Sequence, residues 1–250
     1  MKISIITVAF NAEKTIGDTI ESVLKQDYED IEYIMIDGAS TEQTLEVINQ
    51  YKSQIDTIIS EPDQGIYDGT NKGISYATGD FVGILNADDF YTDHTVVSRI
   101  VEQIQKAKAN AIYADLKYVD AEDPLKVKRK WVSGEFKREK SINGWMPPHP
   151  TFFLQRTLYE KYGGYSLDLK SAADYELMLR MLLKHKVPTT YLNAFIISMR
   201  VGGVSNASVK NRVNANREDR KAWEMNNLKP RFYTILVKPL RKIGQFLVKK

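Results

Sequence analysis

The chain contains no cysteine. That excludes a disulfide scaffold and any thiolate metal site, and it fits a reducing compartment. No apolar run approaches the ~18 residues of a membrane-spanning helix. No basic stretch followed by an apolar core opens the chain, so no signal peptide is expected. Both glycine-based phosphate cradles are missing: neither G-x-G-x-x-G nor G-x-x-x-x-G-K-[ST] follows the first apolar run. Acids run out near the end. After Glu224 there are seven Lys/Arg and no Asp or Glu, while residues 1–224 carry a net charge of −4. The basic balance therefore belongs to the tail, which argues against a nucleic-acid surface on the body.

What is present describes an ordinary globular protein, with 43% apolar and 27% charged residues in 250. That length suits one large domain with an appendage. Residues 2–10 and 31–36 read as buried strands, and residues 57–60 as a third, short one. Ile16, Ile20, Val23 and Leu24 recur at helical spacing, as do Leu45, Val47, Ile48 and Tyr51. A further helix is expected over 69–77. Strand and helix alternating at this pace imply βαβ units and a mainly parallel sheet.

The stretch that organises the rest is Phe-Val-Gly-Ile-Leu at 81–85, followed by Asn86, Asp88 and Asp89. An apolar run this short suits a buried strand, and open α/β sheets bind ligands beyond the carboxyl ends of their strands. Adjacent carboxylates repel each other, and a hard cation relieves the repulsion. A metal–diphosphate site is one reading. A loop start that caps the next helix is the other. Asp37, ending the second strand before Gly38, can likewise accept hydrogen bonds from a ribose or base, or serve as turn chemistry.

Taken together, the motifs resemble one family. They are Ile-Ile-Thr-Val-Ala-Phe-Asn at 5–11, Ile-Asp-Gly-Ala-Ser at 36–40, residues 60–73, Ala-Thr-Gly-Asp at 77–80 and Leu-Asn-Ala-Asp-Asp at 85–89. His-Pro-Thr-Phe-Phe at 149–153, Ala173-Asp174 and Gly-Gly-Val-Ser at 202–205 complete the set. In this order they resemble family 2 glycosyltransferases of the GT-A fold, inverting enzymes that use nucleotide sugars and a divalent metal. The resemblance implies a single-domain α/β nucleotide-sugar fold over 1–205, with a nucleotide-binding half at 1–115 and an acceptor-binding half at 116–205. A helical, basic extension follows over 206–250.

The resemblance also implies roles. Phe10 and Asn11 begin the nucleotide pocket, Asp37 holds uracil or ribose, and Asp63 is a second nucleotide-facing acid. Asn86, Asp88 and Asp89 match the DxD element, with Asn86 replacing its first acid. Asp89 is expected foremost, with Asp88, to hold Mg²⁺ or Mn²⁺. His149 is expected to line the site as a polar contact to donor or acceptor. Asp174 matches the second residue of a Glu-Asp element whose Glu is here Ala173, and it is the expected catalytic base. The implied reaction moves a hexosyl or N-acetylhexosaminyl group from a UDP-sugar to a glycan or lipid-linked glycan.

Other stretches keep two readings. The charge run at 126–130 fits a solvated edge strand or an acceptor rim. Trp131 and Trp145 fit core positions or sugar-stacking platforms. In the tail, Phe232, Leu236, Leu240, Ile243 and Leu247 form a stripe among cations. It reads as a helix packed on the body, or as residues 229–250 lying on an anionic leaflet. The expected location is the cytoplasm, at the inner face of the cell membrane if the tail binds there. Two rival functions stand: a non-catalytic nucleotide- or glycan-binding scaffold, and a sugar nucleotidyltransferase, which would need a basic glycine-rich loop where Phe10, Asn11 and Ala12 stand.

Overall fold

The computed structural model describes residues 1–202, 209–231, 233 and 234. Strand β1 (Ile3–Ala9) is buried at every position, as an apolar run covered on both sheet faces must be. Helix α1 (Ile16–Leu24) buries Ile16, Thr19, Ile20 and Val23 along one face. Strand β2 (Ile31–Asp37), helix α2 (Thr44–Gln50), strand β3 (Thr57–Ser60), helix α3 (Ile66–Tyr76) and strand β4 (Phe81–Ile84) continue the expected alternation. Helix α3 begins ahead of the expected Gly69, because Gly65 with φ 116° turns the chain directly into it.

Strand β2 pairs parallel with β1 and β3, and β1 pairs parallel with β4. The register sets Ala9 opposite Asp37 and Asp37 opposite Ser60. Parallel pairing brings the carboxyl ends of all four strands to one rim.

The second half is mixed. Strand β5 (Asp89–Tyr91) and helix α4 (Val96–Ala107) lead to β6 (Ala111–Val119) and β7 (Val127–Trp131). Helix α5 (Arg138–Ile142), strand β8 (Phe153–Gln155), helices α6 (Arg156–Tyr162) and α7 (Ala173–Met178), and strand β9 (Thr189–Arg200) follow. The sheet order is β3-β2-β1-β4-β8-β6-β9-β5, with β7 on β6. Strand β8 is antiparallel to both neighbours and joins the halves. Gly83 is required at that seam, since a Cβ there would lie 2.2 Å from Phe153 Cε1.

The charge run falls mainly on β7, half exposed and, among the described residues, paired with β6 alone. Trp145 is core, its indole N–H donating to Ser133 O at 3.0 Å, and Trp131 is half-buried against the same side of the sheet as α1 and α4.

Helix α8 (Val209–Met225), at the start of the expected extension, packs on α7. Trp223 is buried and donates to Tyr175 Oη at 2.9 Å, and Asn226 donates to Glu176 Oε1 at 3.0 Å. The tail stripe lies outside the described residues. Within the same segment, Thr234 is buried and donates to Ile142 O at 2.6 Å. Among the described residues, no helix is long and apolar enough to cross a membrane.

Candidate active site

The rim carries the expected nucleotide residues. Phe10 is 61% exposed, and Asn11 follows in the left-handed region with φ 49°. That conformation lets Asn11 Oδ1 accept from Thr41 N at 2.9 Å while its own N–H donates to Ser40 Oγ at 2.9 Å. The loops after β1 and β2 are thereby tied together. Ala39 also has positive φ, at 59°, a strain of about 1 kcal/mol held by those ties.

Asp37 is fully buried. Its carboxylate accepts from Ser40 Oγ at 2.5 Å, Ser60 Oγ at 2.6 Å and Ser40 N at 3.2 Å. Asp63 lies against two glycines. A Cβ on Gly38 would stand 2.7 Å from Asp63 Oδ2, and one on Gly69 3.1 Å from the same atom. The backbone N–H of Gly65 donates to its other oxygen at 2.8 Å. From the sequence Gly38 fitted a turn and Gly69 a helix start; the structure shows both making room for a carboxylate.

Asp88 and Asp89 behave differently. Asp89 has no exposed surface, accepts from Asn86 Nδ2 at 3.0 Å through Oδ2, and leaves Oδ1 buried without a partner. Burial, and then the neighbouring Asp88, push its pKa well above the usual carboxylate range. Asp88 is half-buried, and burial raises its pKa too. Of the two acids, Asp88 is the one whose side chain reaches solvent. Asn86 turns its amide NH₂ to Asp89, so its carbonyl oxygen points elsewhere. Arg200, missed in the sequence, donates to Asp88 O at 2.9 Å, lies 4.9 Å over the Phe90 ring and pairs with Asp18. Its only sequence signal was a lone arginine closing an apolar strand.

Among the described residues no three His, Cys, Asp or Glu converge as a metal cage. One accessible carboxylate beside an amide carbonyl still fits a Mg²⁺ or Mn²⁺ that draws its remaining ligands from a diphosphate and water.

Asp174 stands in the first turn of α7, half-buried. Tyr67 of α3 donates to Asp174 Oδ1 at 3.3 Å. Burial, and then the Asp174 charge, push the Tyr67 phenol far above its ordinary range, so it remains a donor. The Tyr67 ring stacks on Tyr165 with centroids 5.7 Å apart and planes at 10°. Tyr165 Oη meets His149 Nε2 at 2.6 Å, and burial lowers the His149 pKa against the opposing pull of Asp174. His149 and Asp174, expected separately, thus share one cluster. Tyr67 and Tyr165 are its unforeseen members.

The loop that brings in Tyr165 is clamped from two sides. Asn71 donates to Tyr165 O and accepts from Tyr165 N, both at 2.8 Å. Arg180 donates to the carbonyls of Tyr162, Gly163 and Gly164 at 2.5–2.8 Å while paired with Glu176. Glu218 of α8 accepts from Lys170 N, Ser171 N and Ser171 Oγ, fixing the approach to α7.

The sequence model of glycosyl transferase family 2 matches residues 4–168. The chain belongs to that family. A PGL/p-HBAD biosynthesis glycosyltransferase of Mycobacterium bovis is 26% identical over 211 residues, covering 82% of this chain and 80% of its own. An uncharacterised glycosyltransferase of Mycobacterium tuberculosis is 32% identical over 190 residues, covering 72% and 69%. Among solved structures, residues 1–349 of S. aureus TarS in complex with UDP-GlcNAc superpose with a TM-score of 0.68 at 18% identity. That match covers 98% of this chain and 73% of TarS 1–349. The mannosyltransferase PcManGT of Pyrobaculum calidifontis, in complex with GDP-Man and Mn²⁺, gives 0.67 at 15%, covering 98% and 69%. Both likenesses establish the fold, which is GT-A. This family 2 member is a glycosyltransferase. Asp174 lies just beyond the matched segment, on the helix that α8 covers.

Proposed function

We propose that this glycosyltransferase moves a hexosyl or N-acetylhexosaminyl group from a UDP-sugar to a glycan hydroxyl, with inversion at the anomeric carbon. The observation that carries the reading is the gathering of Phe10, Asn11, Asp37, Asp63, Asn86 and Asp88 at the carboxyl ends of four parallel strands. Relatives of this fold bind UDP-GlcNAc and GDP-Man.

In this reading Phe10 and Asn11 border the base, and Asp63 faces the nucleoside. A ribose hydroxyl or uracil N–H takes over from Ser40 on Asp37. Asp88, with the Asn86 carbonyl, holds the Mg²⁺ or Mn²⁺, while buried Asp89 keeps Asn86 in place. When bound, the metal neutralises the leaving diphosphate. Asp174 takes the proton of the acceptor hydroxyl as its oxygen bonds to the anomeric carbon. The bond to the diphosphate breaks on the opposite side, and the diphosphate leaves with the electron pair. His149 contacts donor or acceptor beside that base. The basic tail at 229–250 brings the enzyme to an anionic membrane surface and a lipid-linked acceptor; the cation count and apolar stripe support this.

Calorimetric titration with UDP, GDP, ADP and CDP, with and without Mn²⁺, tests the donor site. UDP binding that tightens at least about tenfold with Mn²⁺ is expected. No nucleotide binding under either condition would refute it. Tight UDP binding without turnover across an acceptor panel would favour a nucleotide-binding scaffold.

A further inference from the structure

We propose that Tyr67 is a positioning residue for Asp174, through which α3 ties the donor loop to the base. The inference rests on the reading of Asp174 as the base. Three observations point to it. Tyr67 is the side chain whose hydrogen bond reaches Asp174, at 3.3 Å to Oδ1. Its ring is fixed from behind by the near-parallel stack on Tyr165, whose backbone Asn71, one turn further along α3, grips at both N and O. The same helix starts from the loop that holds Asp63, where Gly65 N donates to Asp63 Oδ1 and Gln64 N donates to Asp68 Oδ2. One rigid element therefore carries a donor-side acid at its entrance and the phenol that aims the base in its first turn.

The physical role is specific. A carboxylate on a short helix rotates about two side-chain bonds, and a base must point one lone pair at the acceptor proton. A phenol donating to Oδ1 fixes that rotation and leaves Oδ2 for the substrate. The titratable groups that feel Asp174 are Tyr67, Tyr165 and His149. Both phenols stay protonated, and no hydrogen bond joins Tyr67 to His149. A loss of kcat on removing the Tyr67 hydroxyl that vanishes once Asp174 is replaced therefore reports on Asp174.

The experiment uses Tyr67→Phe, which keeps the stack on Tyr165, in the full chain. UDP release from UDP-N-acetylglucosamine with Mn²⁺ is followed, water serving as acceptor so that no natural acceptor is needed. The expected result is kcat lowered about tenfold or more, the worth of one hydrogen bond to a charged group, with KM changed by less than about twofold. Combined with Asp174→Asn, Tyr67→Phe costs nothing further. The proposal is overturned if kcat stays at the wild-type value, if KM rises in step with the loss, or if the two losses multiply. Wild-type turnover by Asp174→Asn alone would instead sink the base assignment, and positioning by Tyr67 with it.

Discussion

Glu32 gives the most quantitative test of the fold. It lies at the amino-terminal end of β2, opposite the rim, and is 7% exposed. Burial alone would raise its pKa, but the bonds it accepts win. They come from Ser4 Oγ at 2.5 Å, Thr78 Oγ1 at 2.6 Å, Thr78 N at 2.7 Å and Lys2 Nζ at 3.0 Å. The carboxyl is held down at about 2, against 4.5 for an ordinary glutamate. At ~1.36 kcal/mol per pKa unit the difference is worth about 3 kcal/mol. Discounted for screening through the partly exposed Lys2, about 2 kcal/mol remains. A depressed folded-state pKa stabilises above the unfolded value and loses that contribution as pH falls through the folded one. Glu32→Gln should therefore cost about 2 kcal/mol at pH 7, about half that at pH 3, and almost nothing near pH 2. Urea unfolding of both proteins across that range measures it, along with a loss of roughly 4–8 °C in melting temperature at pH 7. A cost that stays constant from pH 7 to pH 3 would refute the linkage. Donor binding should be unchanged, because the network sits at the far end of the strands.

Other substitutions address the site and the seam. Asp88→Asn should remove the Mn²⁺-dependent part of UDP affinity in calorimetry, whereas Asp89→Asn, replacing a buried carboxyl of raised pKa by its isostere, should retain most of it; equal losses would return Asp89 to the metal. Asp174→Asn should lower turnover about 10²-fold or more with donor affinity intact, and parallel losses in both would make it a pocket residue. Gly83→Ala should destabilise by about 1–3 kcal/mol in urea melts, because its methyl would press on Phe153; a neutral result would mean the β4–β8 seam is loosely packed.

Much of the parallel first half was legible because its physics is local. Runs such as residues 3–9 and 31–36 are apolar on both faces, which marks buried parallel strands, and the residues proposed to face the ligand follow directly where the runs stop. The cluster around the proposed base was only half visible. Asp174 and His149 stood out through motifs, but Tyr67 joins Asp174 across 107 residues, and only folding brings them together. Strand β5 was hidden for a different reason. It begins at Asp89, and a carboxylate without a partner for one oxygen is no signal of a buried strand. The order of the two acids was likewise unreadable, since burial separates adjacent residues that composition treats alike. Helix α8 falls inside the helical extension expected over 206–250, but its sequence is strongly polar and shows no apolar face, so its docking, secured by packing around Trp223, was not legible.

The seam at β8 has a mechanical consequence. Backbone hydrogen bonds run without interruption from β3 through β4, β8 and β6 to β5. Swinging one half against the other would have to tear the ladder where Phe153 and Leu154 pair with β4 on one side and β6 on the other. A clam-shell closure has no crease to fold along. The parts that can yield without breaking the ladder are the segments at the rim, such as 37–41 and 61–65, held there by a few side-chain bonds from Ser40, Asn11 and Asp63. Loading and unloading of a nucleotide would then be governed by the opening of those short segments, on a platform that itself stays still.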